Sequence, residues 1–228
     1  MGRPALVAAL CVGLLFAIGC GGSASSSTTQ QLRVVLASPD APAADVLING
    51  SEVATSLVYK NATGYLPVNT KPQRVDVQAV SNASTILQQT VTVPASANQT
   101  LFVTGPAAHV QGLLLTDGSK TSTTVTTGDG NVRVVNGSSV MGPADVYIVN
   151  AGAGLAGATP VAKSLAYGQV AGYQNVAIGN YDVFLTAPGT TSVYLHTGPL
   201  ALTQSQYQTV VALDDIAGGV SYLALTDQ

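Results

Sequence analysis

The sequence contains one pattern twice, once in each half. Residues 32–46 read LRVVLASPDAPAADV and residues 132–146 read VRVVNGSSVMGPADV, so that Arg33 and Arg133 stand one hundred positions apart. A repeat of this kind indicates two copies of one structural unit in tandem. Any fold proposed for the chain must therefore suit both halves.

Further matches extend the repeat toward the end of each copy. The matching segments are Gly64-Tyr65 with Gly172-Tyr173, Val75-Asp76-Val77 with Tyr181-Asp182-Val183, and Asp117 with Asp227. Their separation along the chain exceeds one hundred residues, as insertions in the loops of the second copy require. The segment between the copies, GSKTSTTVTTGDG, is rich in Thr, Ser and Gly and has no apolar periodicity, which is typical of a linker. The predicted divisions are a first domain over residues 32–117, a linker over residues 118–130 and a second domain over residues 131–228.

Short apolar runs separated by turn residues predict strands in both copies. Val75 and Val77 alternate with Asp76 and Gln78, which is the period of a strand with one buried face. Charged residues make up only 8% of the chain, against about 25% in average domains, and strong helix formers are few. We therefore predict an all-β fold of two tandem antiparallel β-sandwich (immunoglobulin-like) domains with about seven strands each. Phe184 interrupts the polar face of its strand, and we expect that face to meet another surface.

The N-terminal segment predicts export. Arg3 precedes the uncharged apolar run ALVAALCVGLLFAI, which is too short for a membrane-spanning helix and suits the core of a signal peptide. The run ends in Ala17-Ile18-Gly19-Cys20, which resembles the bacterial lipobox, although that motif prefers Leu where Ala17 stands. The resemblance implies a signal peptide over residues 1–19, a diacylglycerol on the Cys20 sulfur and a flexible tether over residues 20–31.

Two further expectations concern the destination of the chain. Gly21, rather than Asp, follows the cysteine, and by resemblance to Gram-negative sorting this implies the outer membrane. The alternative is ordinary secretion, with cleavage after Gly22-Ser23-Ala24. Cys11 lies in the signal core, so cleavage leaves no thiol in the two domains for a disulfide, a metal or a nucleophile.

The repeat also resembles a family of secreted prokaryotic domains. ASPDAPAADV at residues 37–46, the DVY–loop–ATPVA pattern of the second copy and the Gly-Tyr after it are similar to a domain family whose catalogue name says only that its function is unknown. The resemblance covers nearly all of residues 32–228 and implies tandem units behind a signal peptide. The opening ASPDAP has diverged in the second copy. The family brings no catalytic residues to this chain.

One local motif points to a cofactor. Gly152-Ala-Gly154-Leu-Ala-Gly157 satisfies G-x-G-x-x-G, the pattern of a dinucleotide-binding loop. Such a loop requires a helix directly after it, but Pro160 stands where that helix would run, and Pro is unfavourable inside a helix. We interpret the motif as an enlarged hairpin connection and predict no cofactor.

The two histidines do not form a catalytic pattern. His109 and His196 occupy different places in the two copies, and the sequence has neither a G-x-S-x-G nucleophile motif nor an H-E-x-x-H zinc motif. We therefore predict no catalytic residue and no metal site, and we do not expect an enzyme. A structure with His196 within hydrogen-bond reach of a serine and an acid would favour a hydrolase instead.

Aspartates recur between the copies as three pairs: Asp45 with Asp145, Asp76 with Asp182, and Asp117 with Asp227. Asp40 and Asp45 could supply oxygen ligands to calcium in the first copy, but Val140 replaces the first of them in the second copy. We instead expect Asp45 and Asp145 to accept hydrogen bonds from backbone N–H groups near the start of their strands.

The recurrent tyrosines are the candidates for ligand contact. Tyr65 and Tyr173 follow the repeated glycine, and exposed tyrosines stack on sugars and anchor protein interfaces. The alternative for both is packing within or at the rim of each sandwich, which is common for Tyr.

These observations favour a non-enzymatic cell-envelope lipoprotein whose two β-sandwich modules have a structural or binding role. The predicted partner is the membrane, through the lipid on Cys20, and a glycan- or protein-binding adhesin module is the alternative. The eight Lys and Arg residues are scattered and the net charge is −3, so nucleic acid is not an expected partner.

Overall fold

The computed structural model describes residue 2 and residues 30–118 and 128–227. The predicted signal peptide apart from residue 2, Cys20, most of the tether and most of the linker lie outside the described residues. Within the described part of the chain, no helix has both the length and the apolar character needed to cross a membrane.

The first domain contains eight strands and a short 3-10 helix in its described residues. The elements are β1 (Gln31–Leu36), β2 (Ala44–Ile48), β3 (Ser51–Leu57), β4 (Leu66–Pro67), β5 (Gln73–Ala79), β6 (Thr85–Val91), β7 (Asn98–Thr104), the helix (Ala107–His109) and β8 (Gln111–Thr116). One sheet has the strand order β4-β1-β7-β8 and the other has the order β3-β2-β5-β6.

The second domain repeats this plan with nine described strands. They are β9 (Asp129–Asn136), β10 (Ala144–Asn150), β11 (Ala162–Leu165), β12 (Val170–Ala177), β13 (Gly179–Thr186), β14 (Val193–His196), β15 (Leu200–Leu202), β16 (Tyr207–Asp214) and β17 (Val220–Asp227). One sheet has the order β12-β9-β16-β17, and the other has the order β11-β10-β13-β14 with β15 also paired to β13. The halves thus share one topology, as the sequence repeat requires.

The predicted all-β fold with tandem β-sandwiches is confirmed, with one difference in strand direction. β1 runs parallel to β7, and β9 runs parallel to β16, within sheets that are otherwise antiparallel. These strands come from opposite ends of their domain and no hairpin joins them, so the connectivity does not require them to be antiparallel. Short strands such as β4 bring the number in each domain slightly above the expected seven.

Each domain encloses its own apolar core between its two sheets. In the first domain the core contains Val34 and Leu36 from β1 and Val75 and Val77 from β5, all fully buried. The equivalent strands β9 and β13 supply the core of the second domain. Because successive side chains of a strand point to opposite faces, the alternation in the sequence sends these residues inward.

A third apolar cluster lies between the two domains. Its buried members are Val35, Ala37 and Phe102 from the first domain and Val135, Val211 and Leu213 from the second. On β1, β7, β9 and β16 these residues alternate with residues of the domain cores, so both faces of the sheets that contain them are covered. We call these two sheets the inner sheets and the other two the outer sheets. Burial on both faces explains the adjacent buried apolar residues Val34-Val35 on β1 and Val134-Val135 on β9.

The sheet register corrects one part of the repeat alignment. Val46 on β2 pairs with Val77 on β5, and Val146 on β10 pairs with Leu185 on β13. Leu185 is therefore the equivalent of Val77, and the sequence match that put Val183 in this place is wrong by two residues.

The correction separates one of the three recurrent aspartate pairs. By register, Phe184 takes the place of Asp76, and Asp182 takes the place of Arg74. The wrong match arises because a shift of two residues keeps every side chain of a strand on the same face, so the apolar alternation cannot reveal it.

Candidate functional site

Charged groups join the inner sheets in addition to the apolar cluster. Arg33 on β1 donates from Nη2 to Oδ1 of Asp227 in the second domain, at 2.6 Å, and from Nη1 to the backbone carbonyl of Thr226, at 2.9 Å. The Arg33 and Asp227 side chains are almost fully buried. This ion pair ties the first strand of one domain to the last strand of the other.

Arg133 makes the reciprocal contacts from the second domain. Its Nη2 donates to Asp117 Oδ1, and its Nη1 donates to the backbone carbonyl of Thr116, at 2.6 Å. Arg133 and Asp117 are the repeat equivalents of Arg33 and Asp227, so the two ion pairs cross the domain boundary in opposite directions. We call these four side chains the crossed ion pairs.

A threonine in each domain supports the crossed ion pairs. Arg33 Nε donates to Thr100 Oγ1 at 2.9 Å, and the Thr100 hydroxyl donates to Asp117 Oδ2 at 2.6 Å. Thr209 occupies the same place in the second domain. Each carboxylate thus accepts hydrogen bonds from the arginine of the other domain and the threonine of its own domain, which offsets the cost of burying its charge.

The two candidate tyrosines, Tyr65 and Tyr173, lie beside the crossed ion pairs. Tyr65 donates its hydroxyl to Asp117 Oδ2 at 2.8 Å, and Tyr173 donates to Asp227 Oδ2 at 2.6 Å. The arginine of the crossed ion pairs in the same domain lies over each ring, 4.5 Å and 4.8 Å from the centroid. Both tyrosines therefore have partners within the protein, and their contact with a ligand stays a prediction.

Burial sets the protonation of these groups. It raises the pKa of the Tyr65 and Tyr173 hydroxyls well above that of an ordinary phenol, so both remain hydrogen-bond donors. Burial, and next the nearby Asp227 carboxylate, also raise the pKa of Asp117, while Arg133 opposes the rise. Burial and the Asp227 carboxylate thus favour the protonated form of Asp117, and Arg133 favours its ionised form.

The outer sheet of the second domain presents a row of three rings. Tyr147 on β10 lies opposite Phe184 on β13, and Phe184 lies opposite His196 on β14. The Phe184 and His196 rings stack, with centroids 4.1 Å apart and planes 5° from parallel. We call these three residues the aromatic row. Phe184 is only 9% exposed, so His196 supplies part of the surface that its face was expected to meet.

The same row has two polar residues in the first domain. It contains Leu47, Asp76 and Gln88, and the Gln88 side chain donates to Asp76 Oδ1 at 2.8 Å. Arg74 also pairs with Asp76, with 2.9 Å between Nε and Oδ2. Arg74 therefore balances the Asp76 carboxylate in the first domain, whereas the second domain has Asp182 in the place of Arg74 and Phe184 in the place of Asp76.

Asp182 connects the aromatic row to the glycine motif. Its Oδ2 accepts a hydrogen bond from the Gly152 backbone N–H at 2.9 Å and lies 3.4 Å from His196 Nε2. Its Oδ1 is buried without a hydrogen-bond partner among residues 30–118 and 128–227. The His196 ring contacts Asp182 and Phe184, and neither is the serine that a hydrolytic triad needs.

The glycine motif forms the connection between β10 and β11, which pair as an antiparallel hairpin. This confirms the interpretation as an enlarged hairpin, since a strand beginning at Ala162, and not a helix, follows Gly157. Gly152, Gly154 and Gly157 have φ values of 81°, 67° and 74°. Glycine adopts this left-handed region without steric cost, so the motif serves the turns of the loop.

A cleft of about 590 Å³ reaches the aromatic row at Tyr147. Its polar and aromatic lining residues are Asp145, Tyr147, Lys163, Ser164, Thr190 and Thr191. Asp145 accepts hydrogen bonds from the backbone N–H groups of Gly189 and Ser164, both at 2.8 Å. These bonds lower the pKa of the Asp145 carboxyl, so it is ionised at neutral pH.

The expected backbone role of Asp45 and Asp145 is confirmed. Asp45 accepts a hydrogen bond from the Ser56 N–H at 2.9 Å, as Asp145 does from Ser164. Both serines have positive φ, 53° and 50°, a conformation that is uncommon outside glycine. The carboxylates thus hold the same irregular backbone in the two copies.

Asp40 and His109 do not add to this site. Asp40 accepts a hydrogen bond from the Ala107 backbone N–H at 2.8 Å, and His109 ends the 3-10 helix of the first domain. No group of three or more His, Cys, Asp or Glu that could hold a metal ion occurs in the described ranges.

Comparison with known families assigns both halves of the chain. A family model described as a domain of unknown function (DUF4397) matches residues 30–147 and residues 130–228. The chain belongs to the DUF4397 family. The comparison with curated proteins finds no match. Membership in DUF4397 agrees with the repeat and assigns no activity.

Sequence reasoning missed the aromatic row. Tyr147 stands in the repeated Asp-Val-x segment where the first copy has Leu47, and this difference between otherwise matching segments was the available signal. A repeat draws attention to residues that occur in both copies, such as Tyr65 and Tyr173. It gives no weight to residues that differ between the copies.

Proposed function

We propose that this DUF4397 protein is a non-enzymatic binding protein of the bacterial cell envelope, held at the membrane by a lipid on Cys20. The observation that carries the proposal is the cleft beside the aromatic row of the second domain. Concave sites that combine an aromatic ring with a few oriented polar groups are typical of ligand binding. This site lies where the second copy departs from the first.

The recurrent acids already have partners within the protein, and this supports a role without catalysis. Asp117 and Asp227 are buried in the crossed ion pairs. A general acid or base must instead reach a proton of the substrate. His196 with Asp182 is the nearest approach to a catalytic pair, and the His196 ring is stacked on Phe184.

The crossed ion pairs suit a protein that presents a site away from a membrane. They join the two β-sandwiches through buried contacts in both directions. The tether predicted over residues 20–31 would separate this pair of domains from the lipid on Cys20. Flexible Ser-rich segments of this kind act as spacers.

Substitution of Cys20 tests the anchor. Cys20→Ala removes the sulfur that would carry the lipid, so the variant should leave the membrane fraction and appear with the soluble proteins. Cys11→Ala is the matched control, because Cys11 lies in the signal core and this variant should still sediment with membranes. Separation of inner and outer membranes on a density gradient then locates the wild-type protein.

The same fractionation separates the alternatives. Retention of Cys20→Ala in the membrane fraction would contradict the lipid anchor. Recovery of the wild-type protein in the culture medium would favour ordinary secretion. Labelling of the wild type, but not of Cys20→Ala, by a radioactive fatty acid would support acylation of Cys20.

A further inference from the structure

We propose that the cleft of the second domain binds a neutral glycan. The inference rests on the proposed binding function and names the class of ligand. It follows from the size of the cleft, the chemistry of its lining, the balance of its charges and the absence of two of its side chains from the equivalent place in the first domain.

The dimensions of the cleft fit a small saccharide. Its volume of about 590 Å³ lies within the range of about 300–1,000 Å³ that is common for small-molecule sites. Lys163, Ser164, Thr190 and Thr191 are exposed along it, so the cleft opens to solvent. An open cleft can accept one or two units of a longer glycan chain as well as a free sugar.

The lining offers the groups that a sugar requires. The hydroxyls of Ser164, Thr190 and Thr191 can each donate and accept hydrogen bonds, as the hydroxyls of a sugar do. Tyr147 is 8% exposed, so only a small part of its aromatic ring is accessible at the inner end of the cleft, where it can meet an apolar C–H group of a sugar. The cleft thus combines hydrogen-bonding groups with one flat apolar group.

The charges in the cleft favour a neutral ligand. The Asp145 carboxylate and the Lys163 ammonium have opposite signs and line the same cleft. An anionic ligand would meet Asp145 and a cationic ligand would meet Lys163, whereas a neutral glycan can hydrogen-bond to both. The Gly189 and Ser164 N–H groups already hold the Asp145 carboxylate in place, so it needs little reorganisation to accept a sugar hydroxyl.

The first domain lacks two of these side chains. Leu47 takes the place of Tyr147, and by the pairing of β2 with β3 Thr55 takes the place of Lys163. The equivalent of Asp145 is retained as Asp45. The ring and the ammonium therefore belong to the second domain only. Each can be replaced by the residue that the first domain has in the same place.

A glycan array provides the first test. The full-length protein, purified in detergent micelles, is applied to an array that contains neutral, anionic and amino-bearing glycans. We expect binding to neutral glycans. A blank array, or binding confined to charged glycans, would overturn the inference.

Two variants locate the bound glycan. Tyr147→Leu and Lys163→Thr should each weaken the binding of an array-positive neutral glycan by about tenfold, which is the effect of losing one well-placed contact. Lys71→Thr is the control, because Lys71 is an exposed lysine of the first domain and should leave the affinity unchanged. Circular dichroism of each variant should match the wild type, since both substitutions copy the first domain.

The outcomes distinguish the inference from the proposed function. Unchanged affinity of both cleft variants would place the glycan elsewhere and overturn the inference. The fractionation of Cys20→Ala is independent of the cleft, so a failure of the anchor and a failure of the glycan site are read from different experiments.

Discussion

The inner and outer sheets of this DUF4397 protein keep the repeat to different degrees. On the inner sheets, Arg33 and Arg133 make equivalent contacts with Asp227 and Asp117 across the domain boundary. On the outer sheets, the second domain has the aromatic row where the first domain has Leu47, Asp76 and Gln88. The two copies therefore agree where they face each other and differ where they face outward.

The difference follows from what each sheet contacts. Loss of Arg33 alone would leave the buried Asp227 carboxylate with only the more distant Arg133, 3.9 Å away, and a poorly compensated buried charge is costly. A residue of one inner sheet is thus constrained by its partner in the other domain. The outer sheets do not share this constraint, so each can change alone. Agreement between the copies marks the residues that join the domains, and divergence marks the candidate binding site.

Removal of either arginine of the crossed ion pairs should have the largest effect. Arg33→Met or Arg133→Met removes the nearer cation of a buried aspartate and leaves it only the other arginine, 3.9 Å away, so each should lower the free energy of unfolding by up to about 3–5 kcal/mol. Urea unfolding followed by circular dichroism measures the loss. If Arg33 and Arg133 make equivalent contacts, the two substitutions should lower the free energy of unfolding by similar amounts.

Arg74→Met is the matched control on an outer sheet. Arg74 also pairs with an aspartate, Asp76, but its side chain is 59% exposed. Exposed ion pairs contribute little, so the expected loss is about 0–1 kcal/mol. A loss at Arg74 as large as that at Arg33, or very unequal losses at Arg33 and Arg133, would contradict the comparison of the sheets.

Removal of the hydroxyls beside the crossed ion pairs should have an intermediate effect. Tyr65→Phe and Tyr173→Phe each remove one hydrogen bond to a buried carboxylate, so each should lower the free energy of unfolding by about 1.5–3 kcal/mol. Tyr194→Phe, at an exposed tyrosine of an outer sheet, serves as the control and should change it little. Equal and small losses in all three variants would argue against a structural role of Tyr65 and Tyr173.

The same hydroxyls should make stability fall at alkaline pH. Their pKa is raised in the folded protein, so their contribution is complete below the ordinary phenol pKa of about 10 and is lost as the pH rises toward the folded-state pKa. Urea unfolding on both sides of that value should therefore show a steeper loss for the wild type than for the double variant Tyr65→Phe/Tyr173→Phe. Parallel losses would contradict the burial of these groups.

Much of the fold could be predicted from local patterns. The repeat indicates two domains, and the alternation of Val75 and Val77 with polar neighbours indicates strands with one buried face. The parallel pairing of β1 with β7 could not be predicted in this way, because apolar alternation is the same for both strand directions. It depends on which strands meet when the domain closes.

The candidate site was harder to predict for two physical reasons. Arg33 and Asp117 are visible as recurrent charges, but only the packing of the domains places Arg33 2.6 Å from Asp227 and 3.9 Å from Asp117 of its own copy. The aromatic row was missed because the sequence match aligned β13 two residues away from its true register. A shift of two residues leaves every side chain on the same face of the strand, so nothing in the pattern showed that Phe184, and not Asp182, is the equivalent of Asp76.

The smallest effect is expected at the exposed end of the aromatic row. His196→Gln introduces the residue that the first domain has in this register, Gln88, and removes the stacking on Phe184 and the contact with Asp182. The His196 side chain is 45% exposed, so solvent weakens its contact with Asp182 and the stacked rings account for most of the change. The free energy of unfolding should fall by about 1 kcal/mol or less.

The reverse substitution, Gln88→His, separates stacking from the polar contact. Gln88 donates to Asp76, and an imidazole can replace that donor, but Asp76 offers it no ring to stack on. If stacking dominates at His196, Gln88→His should give no gain in the free energy of unfolding. A loss at His196 as large as the loss at Arg33 would mean that the aromatic row supports the fold as strongly as the crossed ion pairs do. The difference between the two outer sheets would then be explained by packing, and it would no longer support a ligand-binding site in the second domain.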